Sequence, residues 1–79
     1  MPSLDQLQPG QRGRIANILG DDALQQRLME MGFFEGEEVE VIARAPLGDP
    51  IEVRRGDFRL SLRRSEAARV LLQGDQVTR

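Results

Sequence analysis

The sequence predicts a small, mainly β domain: a five-stranded barrel with one inserted α-helix and a short helical turn before the last strand. Three observations carry this. Stretches of apolar–polar alternation recur with turn residues between them, and a single segment near residues 23–32 switches to a 3.6-residue period. The chain has 79 residues, 39% of them hydrophobic, enough for one core and no second. One domain over residues 1–79 is expected, with a core from about 4 to 72 and a flexible tail over 73–79. Five short strands left as an open sheet would expose edges and one apolar face, so the sheet is expected to curl into a barrel.

Gln8-Pro9-Gly10-Gln11 is a turn signal. It ends a short arm in which Leu4 and Leu7 stand three apart, placed to close over the edge of the core. The first strand runs through Arg14–Leu19, where Ile15 and Ile18 break strict alternation and call for a bulge or twist. After Gly20-Asp21-Asp22, Asp22 can cap a helix, with Gln25 three positions on. That helix begins about Ala23; Leu24, Leu28 and Met31 form its apolar stripe, Gln25, Gln26 and Glu30 face water, and Gly32 stops it as the left-handed residue after the cap. With the helix between the first two strands, its stripe would plug one end of the barrel.

Period-two alternation then takes over in Glu38-Val39-Glu40-Val41 and runs on through Ile42-Ala43-Arg44. Ala45–Pro50 is a loop fixed by two prolines, and Ile51–Arg54 restarts the alternation. Arg55-Gly56-Asp57 makes a tight turn into Phe58–Leu62, so these strands form a meander. Ser65 is positioned to cap one helical turn through Glu66-Ala67-Ala68, and Val70-Leu71-Leu72 supplies the last strand.

Composition removes most chemistry. There is no cysteine for a disulfide or thiolate site and no histidine to act as general base or imidazole ligand. A non-enzymatic, cofactor-free and cytoplasmic protein is the expectation. No run reaches the ~18 apolar residues of a membrane span, so direct membrane insertion is not expected. The net charge of -2 and the lack of Trp and Tyr argue against nucleic acid.

Charge is nonetheless unevenly spread. Arg54, Arg55, Arg59, Arg63, Arg64 and Arg69 crowd the last third against Asp57 and Glu66, whereas acids outnumber Arg27 between Asp21 and Glu40. Such a bipolar surface could dock a partner's carboxylates or simply keep the domain soluble and internally paired, and it allows weak self-association. Alternation turns Arg59 and Arg63 outward, making them candidates for electrostatic steering. The dense acids Glu35, Glu37, Glu38 and Glu40 could bind a hard divalent cation, though pairing of Glu40 with Arg54 across strands is the stronger expectation. Met31-Gly32-Phe33-Phe34-Glu35-Gly36 holds more apolar bulk than one core position needs. Either one ring enters the barrel while the other lies on the surface beside Leu47 as a partner anchor, or both are buried under the arm.

Four strings in series, Arg27–Phe33, Gly36–Val41, Ala45–Ile51 and Leu60–Ala67, resemble the FeoA family of small ferrous iron transport proteins. The resemblance runs from about Leu4 to Leu72 and implies an SH3-like β-barrel with an inserted helix. It further implies a regulatory or assembling role in ferrous iron uptake, with the membrane ferrous transporter FeoB and its cytosolic GTPase domain as partner. The same module forms the C-terminal domain of iron-dependent repressors, but no helix-turn-helix segment precedes it here, so a DNA-binding repressor is not expected. No catalytic residue is carried over. Partner-binding candidates are Phe33 or Phe34 with Leu47 as anchors and Arg59 and Arg63 as steering charges; a direct ferrous sensor or carrier using the acidic strand face is the alternative.

Overall fold

The computed structural model describes residues 2–20 and 22–74. Five antiparallel strands, β1 (Arg12–Ile18), β2 (Glu38–Arg44), β3 (Ile51–Arg55), β4 (Phe58–Leu62) and β5 (Val70–Leu72), lie in the order β4-β3-β2-β1-β5. Helix α1 (Ala23–Glu30) is inserted between β1 and β2, α2 (Arg64–Ala67) precedes β5, and a 3-10 turn covers Leu4–Gln6.

The mainly β class holds, but the sheet is not closed: its edges, β4 and β5, do not pair. Strand β5 is only three residues long, and its outer side is already occupied by the N-terminal arm. Ser3 bridges Leu71, and the Leu72 N–H donates to the Pro2 carbonyl at 2.7 Å. Leu4 and Leu7 are buried, so the arm does seal the core edge. The Arg44 guanidinium holds it there, donating to the carbonyls of Asp5 and, at 2.6 Å, Leu7.

The bulge expected in β1 falls between Ile15 and Asn17. Arg12, Gly13 and Arg14 pair with β2, and Ile15, Asn17 and Ile18 pair with β5, so one strand serves two partners and the bulge lies within the part that pairs with β5. The extra residue also returns Ile18 to the buried side with Ile15. Strand β1 begins at Arg12, two residues earlier than alternation suggests, because Gly13 offers no side chain to mark a buried position. A Cβ at Gly13 would stand 3.0 Å from Leu72 Cδ1, which is what the absence of a side chain permits.

Helix α1 starts and stops as its sequence dictates. The Asp22 carboxylate accepts from the Gln25 N–H at 3.4 Å, Leu24 and Leu28 enter the core, and Met31 packs half-buried at the cap. Gly32, at φ +88°, donates to Met29 O at 3.0 Å while the Phe33 N–H reaches Leu28 O at 2.9 Å, a Schellman closure. The short helix differs from expectation: α2 begins at Arg64, so Arg63 rather than Ser65 takes the capping position. Glu66 compensates, its carboxylate accepting from the Arg63 N–H at 2.9 Å, and Asp49 accepts from the Arg64 N–H at 3.0 Å. The buried side chains of the arm, both helices, all five strands and Phe33 form one core. Among the described residues no helix is long and apolar enough to cross a membrane. The tail expected to fray lies, from residue 75 onward, outside the described residues.

Candidate interaction surface

The Schellman turn sends consecutive phenylalanines in opposite directions. Phe33 is fully buried, so it is a core residue and not an exposed anchor; Phe34 remains 48% exposed. Its ring borders a shallow groove between the Ile15–Ile18 segment of β1 and the Gln25 and Met29 side of α1. Gln25 Nε2 donates to Ile18 O at 3.1 Å, tying helix to strand along the groove floor. Met29 and, on the connection after β1, Leu19 are also large exposed apolar residues. Sequence reasoning missed both, because Met29 lies off the Leu24–Leu28–Met31 stripe and Leu19 continues the aliphatic run of β1.

Leu47 is more exposed still, at 92%, yet it is not beside Phe34. Phe34 precedes β2 and Leu47 follows it, and seven strand residues separate their ends by roughly 20 Å. The two candidate anchors therefore belong to different ends of the domain.

The arginines divide by what they hold. Arg69 donates to Leu19 O at 3.1 and 2.8 Å and to the Asp22 carboxylate at 2.7 Å, clamping the β1–α1 connection. That hydrogen bond, with a bond from the Gln25 N–H, holds the Asp22 carboxyl below the usual range and raises the Arg69 guanidinium. Arg55 lies over Gly32, donating to Met31 O at 3.4 Å at the negative end of α1 and stacking 5.7 Å from the Phe58 ring centre.

Across the outer face of the sheet runs a register row, Arg12–Glu40–Arg54–Arg59. Arg54 and Glu40 pair at 2.5 Å as expected, and Arg12 approaches Glu38 at 3.8 Å. These contacts engage Glu38 and Glu40, two of the four acids, and among the described residues no group of three or more acidic side chains is placed to hold a metal ion. Arg59 is looser: it stands directly opposite Arg54 and only 3.9 Å from Glu52. The Arg63 side chain is exposed, and among the described residues it forms no ion pair. The five candidate residues thus occupy separate places: Phe33 in the core, Phe34 at the groove, Leu47 in the β2–β3 loop, Arg59 on the outer sheet face and Arg63 at the cap of α2.

An open five-stranded antiparallel sheet with an inserted capping helix, presenting its apolar and basic groups at the rim, defines a small SH3-like β-domain. Its relatives share that architecture. The crystal structure of Stenotrophomonas maltophilia FeoA, an SH3 domain protein complexed with zinc, superposes with a TM-score of 0.89 at 35% identity, covering 100% of this chain and 98% of that one. Iron(II) transport protein A from Clostridium thermocellum gives 0.84 at 38% identity over 91% of this chain and 44% of its own. A manganese-dependent transcriptional repressor at 20% identity shares the fold alone, with a TM-score of 0.76.

The FeoA domain model matches residues 3–73, and the chain belongs to the FeoA family. A Porphyromonas gingivalis Fe(2+) transport protein A/Fe(2+) transporter FeoB fusion protein is 37% identical over 67 residues, 85% of this chain; the chain spans 8% of that protein's length.

Proposed function

We propose that this chain is a non-enzymatic accessory protein of bacterial ferrous iron uptake, acting in the cytoplasm on the cytosolic, GTP-hydrolysing part of a FeoB-type membrane transporter. The observation that carries this is the fusion: a relative of this domain is built into one polypeptide with an Fe(2+) transporter FeoB. A short flexible tether holds two modules at millimolar effective concentration, so fusion supplies by connection what separate chains must supply by affinity. A face of a domain this small offers ~600–800 Å², which makes a separate-chain complex transient, suited to regulation or assembly. The groove edged by Phe34 and Met29 is the apolar contact in this reading. Exposed Arg59 and Arg63 speed encounter with an acidic partner surface.

The test is made in the host cell. Removing the gene should slow uptake of radiolabelled Fe²⁺ under reducing conditions, and supplying the wild-type chain should restore it. Uptake unaffected by removal, with the transporter present at its normal level, would overturn the reading.

A further inference from the structure

The two edges of the sheet are treated differently. The outer side of β5 is closed by the arm through Pro2 and Ser3, whereas among the described residues no segment pairs with the outer side of β4. Strands β3 and β4 meet over the two residues Gly56 and Asp57, with Arg55 opposite Phe58. In a hairpin with so short a loop, the flanking pair is hydrogen-bonded and every second pair after it is too. Phe58, Leu60 and Leu62 therefore turn their backbone groups toward β3, and the N–H and C=O of Arg59 and Ser61 point away from the sheet. Arg63, next in that series, is already used: its N–H bonds Glu66, and its carbonyl accepts from the N–H groups of Glu66 and Ala67 at 2.9 Å each.

The side chains beside this edge carry a pattern. On the inner face Phe58 is 52% exposed and Leu60 only partly covered by the core. On the outer face Arg59 sits directly across from Arg54; Arg54 is taken up by Glu40 at 2.5 Å, whereas Arg59 reaches Glu52 only at 3.9 Å and keeps room for a further carboxylate.

We infer that the outer edge of β4 is a docking site for an extended segment of a partner protein in which acidic and apolar residues alternate. Such a segment adds a sixth strand through the backbone of Arg59 and Ser61. Its apolar side chains cover Phe58 and Leu60, and its carboxylates sit over Arg59. A second copy of the chain fits poorly, since pairing β4 with β4 would gather four guanidinium groups from Arg54 and Arg59 on one face. The mode of recognition does not depend on which protein carries the segment.

The experiment is amide hydrogen exchange and chemical-shift titration of the full chain by NMR. The probes are a capped heptapeptide of alternating Glu and Val and its Lys/Val counterpart. In the free chain the Arg59 and Ser61 amides should exchange at least about tenfold faster than those of Leu60 and Leu62. The Glu/Val peptide should slow both and bind at least about fivefold more tightly than the Lys/Val peptide. Arg59→Glu should reverse that preference, and Ser61→Pro, which removes an outward N–H at an edge position, should abolish binding with the fold retained. If Ser61→Pro does not fold, the charge reversal alone decides. Unchanged Arg59 and Ser61 exchange at about 1 mM Glu/Val peptide, or equal affinity for both peptides, overturns the inference. So does protection that grows with protein concentration alone, which would assign the edge to a second copy.

Discussion

Replacing each of the two adjacent phenylalanines by alanine separates core from contact. Phe33 has no exposed surface, so Phe33→Ala removes a fully packed ring and should cost about 3–5 kcal/mol. A domain of 79 residues has about 4–12 kcal/mol of stability in all, so the loss takes a quarter or more of it. With a urea dependence of about 1 kcal/mol per M, the midpoint should fall by about 3–5 M or the chain should not fold. Phe34 is 48% exposed, and half the burial of such a ring is worth about 1 kcal/mol. Phe34→Ala should therefore move the urea midpoint by about 1 M or less, while weakening association with the partner about tenfold, as loss of an aromatic anchor does. Urea titration by circular dichroism and a binding isotherm on the same samples give both numbers. Equal destabilisation by the two changes would refute the assignment of Phe33 to the core and Phe34 to the surface.

Three further outcomes follow from the contacts. Gly32→Ala forces a side chain into the left-handed region and against Arg55 Nη2, costing about 1–2 kcal/mol. Combined with Arg55→Ala it should cost less than the sum of the single changes, read from thermal unfolding. Asp22 titrates below its ordinary value of about 3.9 because Arg69 bonds it. The stability this bond supplies is therefore complete above that value and is lost as pH falls through the lower folded-state value. Asp22→Asn keeps a capping oxygen without the charge, so the wild type should lead it at neutral pH and the gap should close in acid. Arg44→Ala removes the donor to Asp5 and Leu7 and should free the arm, costing about 1–3 kcal/mol and speeding exchange of the Leu72 amide that bonds Pro2.

Most of the fold could be read from spacing. The α1 boundaries follow from Asp22, the Leu24–Leu28 pair and Gly32, because capping and helical period are local signals carried by a few residues. Broken alternation at Ile15 and Ile18 announced the β1 bulge, although not that β1 pairs with both β2 and β5. What escaped depends on distant parts of the chain. Closure of the barrel could not be judged locally, since it turns on the arm reaching β5 before β4 does. Helix α2 starts one residue before Ser65 because Glu66 and Asp49 satisfy its first amides.

The surface was harder. Alternation correctly sent Arg59 outward, but adjacency of Phe33 and Phe34 could not say which ring is buried; the left-handed turn at Gly32 decides it. Leu47 and Phe34 looked like one patch because both are apolar residues beside turns, and the length of β2 separates them. The roles of Arg55 and Arg69 as clamps on glycine turns were hidden, since their targets Met31 and Leu19 are 24 and 50 residues away in the chain.

The claim on which the functional account rests is that this domain works by contact with the transporter's cytosolic part. Isothermal titration of the full chain with that part, both from the same organism and at physiological salt, tests it most directly. A saturable one-to-one complex of micromolar affinity, weakened about tenfold by Phe34→Ala, is the predicted result. No heat of binding at about 100 µM of either protein, with both shown to be folded, would contradict it.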